Sequence, residues 1–188
     1  MASLLQLRRA ARVVAAGGII GYPTEAVFGL GCDPANRSSL ARLIALKERD
    51  ARKGFILIAA GIAQLDPWVI FPGGDALRRV LSSWPGPYTW TVPARPGVDR
   101  RLTGGRDTLA VRVIDHPVAT GLCRLTGALV STSANRSGHP PIRDSLRLRA
   151  VFGSRIDMVV AGETGGLAGP TEIRDARTGR LIRAAAGR

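Results

Sequence analysis

The chain has 188 residues, with 27 Lys plus Arg against 14 Asp plus Glu, a net charge of +13 and 45% hydrophobic residues. That length and apolar content suit one globular domain with a sizeable core and exclude a disordered chain, while the charge points to an anionic partner such as a nucleotide or nucleic acid. Two distant cysteines, Cys32 and Cys123, exclude a disulfide framework, two histidines exclude a His-rich metal centre, and no apolar run is long enough to span a membrane.

Ser3 caps an amphipathic helix expected to run to about Ala16, which reads as part of the fold rather than a targeting peptide. Ile19 to Tyr22 is a short strand. The stretch from Pro23 to Gly31 reads as a loop with a hydroxyl, an acid and glycines that let backbone approach a ligand. Asn36 caps a helix ending near Lys47 or Arg49. Lysine occurs only at Lys47 and Lys53, with every other cation an arginine. Two compact ammonium groups beside Arg49 and Arg52 suit a polyphosphate or carboxylate, although a solvated helix end reads the same way. The apolar run Phe55 to Ala60 is a buried strand.

A helix over Asp75 to Ser83, a rigid turn at Trp84-Pro85-Gly86-Pro87 and a strand from Tyr88 to Pro93 follow. Arg95 to Asp107 is polar and Gly-rich and reads as a mobile loop. Thr108 to Val113 is a strand carrying Arg112. His116 and Pro117 begin a helix to about Leu125, and Ala128 to Thr132 is the next strand. It runs into Ser131-Thr132-Ser133-Ala134-Asn135-Arg136-Ser137-Gly138, a small-hydroxyl loop fit to surround phosphate oxygens without P-loop spacing. A helix over Leu146 to Phe152, a strand over Asp157 to Ala161, a flexible Gly162 to Gly169 and two closing strands around the turn Asp175 to Gly179 complete the chain. The alternation predicts one α/β domain over residues 1–188, built as an open twisted mixed sheet with flanking helices.

The chemistry narrows by elimination. Neither histidine sits with a Gly-x-Ser-x-Gly elbow, which argues against a serine hydrolase. Only four glutamates occur, without a paired-carboxylate pattern, which argues against a glycosidase. Aromatic content of 5% is poor for stacking on bases. Nucleotide-dependent transfer remains, because it needs positioning and charge neutralisation more than a nucleophile. Lys47, Arg49, Lys53, Arg112 and Arg183 supply charge, and Ser133, Asn135 and Thr171 supply hydrogen bonds.

Taken together, Gly21-Tyr22-Pro23-Thr24-Glu25-Ala26-Val27-Phe28-Gly29-Leu30-Gly31, Lys47-x-Arg49, Trp84-Pro85-Gly86-Pro87-Tyr88-Thr89, Val111-Arg112-Val113-x-x-His116-Pro117 and the Ser131 to Gly138 loop resemble the YrdC/Sua5 family. The end of the chain after Leu181-Ile182-Arg183 resembles its short bacterial form, without an added C-terminal domain. The resemblance implies a positively charged concave surface and synthesis of L-threonylcarbamoyl-adenylate and pyrophosphate from L-threonine, bicarbonate or carbon dioxide, and ATP, with Mg2+ carried on the phosphates. It further implies transfer to adenosine 37 of tRNAs reading ANN codons, by separate proteins of TsaD, TsaB and TsaE type, in the cytoplasm. The matching positions give Lys47, Arg49, Ser133 and Asn135 as catalytic, Lys53, Arg112 and Arg183 as further ATP contacts, and Thr24, His116, Ser131 and Thr171 as threonine contacts, with no protein-bound metal. This chain departs from the family at Ala26, at Gly54 (Pro in longer relatives) and at Ile58 (His in some). Two alternatives stand beside it: a double-stranded RNA or ribosome-maturation factor that touches RNA without catalysis, and the carbamoyl-transfer module of hydrogenase maturation proteins, which are much longer chains.

Overall fold

A computed structural model describes residues 2–136 and 138–185. Ser137, the fourth hydroxyl of the expected Ser131 to Gly138 loop, lies outside the described residues. Helices α1 (Leu4–Ala15), α2 (Arg37–Lys47), α3 (Gly74–Leu81), α4 (Arg100–Thr103), α5 (Pro117–Thr126) and α6 (Ser145–Phe152) flank strands β1 (Ile20–Pro23), β2 (Phe28–Gly31), β3 (Ile56–Ala59), β4 (Tyr88–Pro93), β5 (Thr108–Val113), β6 (Leu129–Ser133), β7 (Met158–Val159), β8 (Glu172–Asp175) and β9 (Leu181–Arg183). The strands form one mixed sheet in the order β7-β1-β2-β6-β3-β5-β4-β8-β9. It is parallel at β1–β7, β3–β5 and β4–β8 and antiparallel elsewhere. Among the described residues no helix is long and apolar enough to cross a membrane.

The helices begin where cap chemistry allows. Ser3, Asn36 and Asp144 each accept a backbone N–H from the first turn of α1, α2 and α6. Side chains alternate across each strand, so the sheet has two apolar faces. On one, Leu57, Val111 and Val130 pack with Leu40 and Leu43 of α2, Val80 of α3, Leu102 of α4, and Leu148 and Phe152 of α6. On the other, Ile20, Tyr22, Ile58 and Leu129 pack under Ala10 and Val14 of α1 and Val118 and Leu122 of α5. Among the described residues α1 and α5 are the helices of this second cluster, and no residue of β4, β8 or β9 belongs to it.

Two expected loops are ordered elements. Residues 28–31 form β2, which bridges β1 and β6. Strand propensity hides it because two of its four residues are glycine. Glycine at 31 has a packing reason: a Cβ there would meet the Val130 carbonyl oxygen at 2.4 Å. Within 95–107, Asp99 caps the short α4 by accepting from the Arg101 N–H at 2.9 Å, and Leu102 is buried. Burying Leu102 is what orders this polar stretch.

Candidate active site

Helix α2 delivers Lys47 in its last turn. Glu48 then takes a left-handed conformation, φ 51°, which ends the helix and turns Arg49 away from the axis. Lys47 is only 3% exposed. It donates to the Ser133 carbonyl, to the Asn135 carbonyl at 2.8 Å and to Asn135 Oδ1 at 3.2 Å. The Ser133 hydroxyl donates to the same Oδ1 at 2.6 Å. The Asn135 amide closes its loop by donating to the Arg136 and His139 carbonyls at 3.0 and 2.8 Å. Lys47, Ser133 and Asn135 thus form one hydrogen-bonded cluster from segments 86 or more residues apart. Burial, and then the neighbouring Arg49, pull the Lys47 pKa down to about 8.

Arg49 lies over the Phe55 ring at 5.5 Å and donates to the Gly54 carbonyl at 3.0 Å, while its Nε is buried without a partner. Burial, and then Arg183, hold its guanidinium below the ordinary range. Lys53 follows in a 3-10 turn capped by Asp50, whose carboxylate Arg52 holds below its usual range. Arg106 pins this turn by donating to the Arg52 and Lys53 carbonyls at 2.9 and 3.1 Å. Arg106 was not an expected site residue, because it falls in the stretch read as a mobile loop.

These groups border a cavity of about 470 Å3 on the face of the sheet left open beside α1 and α5. Among the described residues five cations line it, Arg49, Lys53, Arg106, Arg112 and Arg183, and no carboxylate does. Thr24, Ser131, Ser133 and Thr171 contribute hydroxyls, and Ile56, Ala110 and Ile173 give an apolar floor. The expected residues therefore divide. Thr24, Arg49, Lys53, Arg112, Ser131, Ser133, Thr171 and Arg183 line the cavity, whereas Lys47, Asn135 and His116 are not among its lining residues. Ile58, the departure from the family's His, is packed in the core under α1 and α5, and its strand presents Ile56 to the cavity instead.

Arg112, also in the lining, is 7% exposed. Its Nε donates to the Gly86 carbonyl at 2.8 Å, its Nη1 to the Thr171 hydroxyl at 3.3 Å, and its Nη2 pairs with Glu25 Oε1. Burial lowers the Arg112 pKa and Glu25 opposes that shift. His116 caps the entry to α5, with Pro117 at the first helical position. Its Nε2 lies 3.0 Å from the Glu163 carbonyl, so that nitrogen carries the proton, and its buried Nδ1 has no partner. Thr24 donates to the Val27 carbonyl at 2.7 Å, and Arg183 donates to the Thr171 carbonyl at 2.7 Å. Sequence reasoning passed over Glu25. The available signal was that it is one of only four glutamates and stands inside the Pro-Thr-Glu motif.

Comparison with known proteins gives the family. The Sua5_yciO_yrdC family model, described as telomere recombination, matches residues 12–185. A threonylcarbamoyl-AMP synthase of Nitrosococcus oceani is 51% identical over 179 residues, covering 95% of this chain and 97% of that protein. The enzyme of the same name from Halorhodospira halophila is 51% identical, covering 95% and 94%. Among solved structures, P. abyssi Sua5 complexed with L-threonine superposes with a TM-score of 0.85 at 30% identity, over 92% of this chain and 51% of that one. E. coli YciO superposes at 0.86 with 24% identity over 99% and 92%, a likeness of fold. The chain belongs to the Sua5/YciO/YrdC family.

Proposed function

We propose that the protein is a threonylcarbamoyl-AMP synthase, converting L-threonine, bicarbonate or carbon dioxide, and ATP into L-threonylcarbamoyl-adenylate and pyrophosphate. The observation that carries this reading is the cavity itself. It gathers Arg49, Lys53 and Arg183 without a carboxylate, and it also holds the hydroxyls of Thr24 and Thr171. A polyphosphate and a small hydroxy amino acid fit such a lining.

In this reaction the threonine amine loses a proton and attacks carbon dioxide, giving a carbamate. A carbamate oxygen attacks the α-phosphorus of ATP, the α–β phosphoanhydride breaks, and pyrophosphate leaves. ATP enters as its magnesium complex, the metal riding on the phosphates. The lining offers hydroxyls and cations rather than the carboxylates that a resident divalent ion prefers, so this chain's part is to meet the phosphates. Arg49 and Lys53 neutralise charge as pyrophosphate departs. Lys47 holds Ser133 and Asn135 in the geometry that receives the α-phosphate. Thr24, Ser131, His116 and Thr171 set the threonine end, His116 from outside the lining. No side chain acts as nucleophile. A walled cavity shields the carbamate and the mixed anhydride from water.

The product is a reactive acyl-adenylate. In this reading it passes to threonylcarbamoyl-transferring proteins acting on adenosine 37 of tRNA. Two buried free thiols accord with a reducing cytoplasm. Pyrophosphate release is measured with ATP, threonine and bicarbonate, each omitted in turn. All three are expected to be required. Release that ignores threonine would overturn the reading, and salt-sensitive RNA binding without any release would favour the RNA-binding alternative.

A further inference from the structure

We infer that Glu25 is a positioning residue that acts through Arg112 to shape the threonine end of the pocket, an inference that rests on the synthase reading and moves Arg112, which the family resemblance gives as an ATP contact, to the end marked by its hydrogen bond to the Thr171 hydroxyl. Glu25 is 8% exposed and is not among the cavity's lining residues, while its neighbours Thr24 and Ala26 line it. One carboxylate oxygen, Oε1, ties two segments. It pairs with Arg112 at the end of β5 and accepts the Asp115 N–H at 3.0 Å, just before α5. The other oxygen, Oε2, is buried without a partner. A buried carboxylate oxygen without a partner costs free energy, so its retention calls for a positional reason.

Arg112 spends its guanidinium on Gly86, Thr171 and Glu25 together. Two hydrogen bonds and one ion pair hold this guanidinium, and Glu25 is its only ionic partner among the described residues. Glu25 also anchors the segment that precedes β8. Its own carbonyl accepts from the Leu167 N–H at 2.9 Å, and the Gly165 N–H donates to the Thr24 carbonyl at 3.0 Å. Side-chain space at 165 is closed, since a Cβ there would lie 2.9 Å from the Glu25 Cα. One acid therefore joins the 24–27 loop, the start of α5 and the segment leading to Thr171. All three bear on the threonine end, and none carries Arg49 or Lys53.

The test is steady-state pyrophosphate release by Glu25→Asp, Glu25→Gln, Arg112→Gln and the Glu25→Gln/Arg112→Gln double variant. Glu25→Asp keeps the buried charge and shortens its reach. It is expected to raise the KM for threonine about tenfold and to change the KM for ATP by less than twofold. The double variant removes both charges, so no unpaired ion is buried. Its threonine KM should match that of Arg112→Gln alone, the mark of residues acting as one unit. Equal shifts in both KM values, an unchanged threonine KM in Glu25→Asp, or multiplied effects in the double variant would each overturn the inference. If the unaltered protein released pyrophosphate without threonine, the synthase reading would fall and this inference with it.

Discussion

Lys47 is a cation held almost wholly inside the protein, with three oxygens gathered around it. Its depressed pKa has two consequences of opposite sign. Lys47 titrates near 8 when folded against 10.5 ordinarily. Below 8 both folded and unfolded chains hold the proton, and the cost of burying the charge is fully present. Between about 8 and 10.5 the unfolded chain binds the extra proton, so this residue's contribution to stability rises with pH. Catalysis runs the other way. Once the ammonium loses its proton it can no longer donate to all three acceptors, and the Ser133–Asn135 loop loosens. The value of kcat/KM for ATP is therefore expected to fall above about pH 8 along a single-proton curve, while thermal melting shows no matching loss of stability. A rate that stayed flat to pH 9.5 would remove Lys47 from any role as a charged clamp. Lys47→Ala leaves these oxygens without their donor. It should cost about 1–3 kcal/mol of stability and lower turnover about 100-fold or more. Lys47→Arg is not expected to rescue it, because a planar fork does not fill the place of a compact ammonium.

The 3-10 turn that carries Lys53 is fixed by contact with α4, not by its own propensity. Gly54 has φ +61°, and a Cβ there would lie 2.7 Å from the Leu102 carbonyl oxygen. Gly104, φ +65°, faces back, and its Cβ would meet the Arg52 carbonyl oxygen at 2.3 Å. The two glycines let turn and helix end touch backbone to backbone, with the Phe55 N–H donating to the Leu102 carbonyl at 2.8 Å. Gly54→Ala should cost about 1–3 kcal/mol from backbone strain alone, and it should weaken ATP binding more than threonine binding. Proline at 54 is incompatible with this path because its ring fixes φ near −65°. The same elements explain what could be read from sequence. Caps at Ser3 and Asn36 and the apolar run of β3 are local signals, and all three elements stand where expected. The exclusive use of lysine at 47 and 53 and the hydroxyl-rich loop marked two parts of the site. Strand β2, helix α4 and the Glu25–Arg112 pair were not legible as such. Each depends on a partner far away in the chain, whether Val130 for β2, the core around Leu102, or Arg112 for Glu25.

Across the whole molecule, the cavity is where the sheet's second face runs out of helices. Helices α1 and α5 cover one part of that face. The walls over the remainder come from β2, β3, β4, β5, β6, β8 and β9, and β9 lies at an exposed edge of the sheet. A ligand there touches elements that are otherwise joined mainly through strand pairing, so binding should stabilise the fold as a unit. The net charge of +13 adds to this, because a polyanion relieves self-repulsion that the empty site retains. At ligand concentrations 100-fold above Kd, linkage supplies about 2.7 kcal/mol. For a chain of this length that corresponds to a rise in Tm of about 5–10 °C. A non-hydrolysable ATP analogue with magnesium is expected to give this shift, and threonine with bicarbonate to add to it. Sodium chloride at matched ionic strength separates the two contributions, since it screens charge without filling the cavity. If salt alone reproduced the whole shift, the stabilisation would belong to the molecule's charge and not to a nucleotide held between its strands.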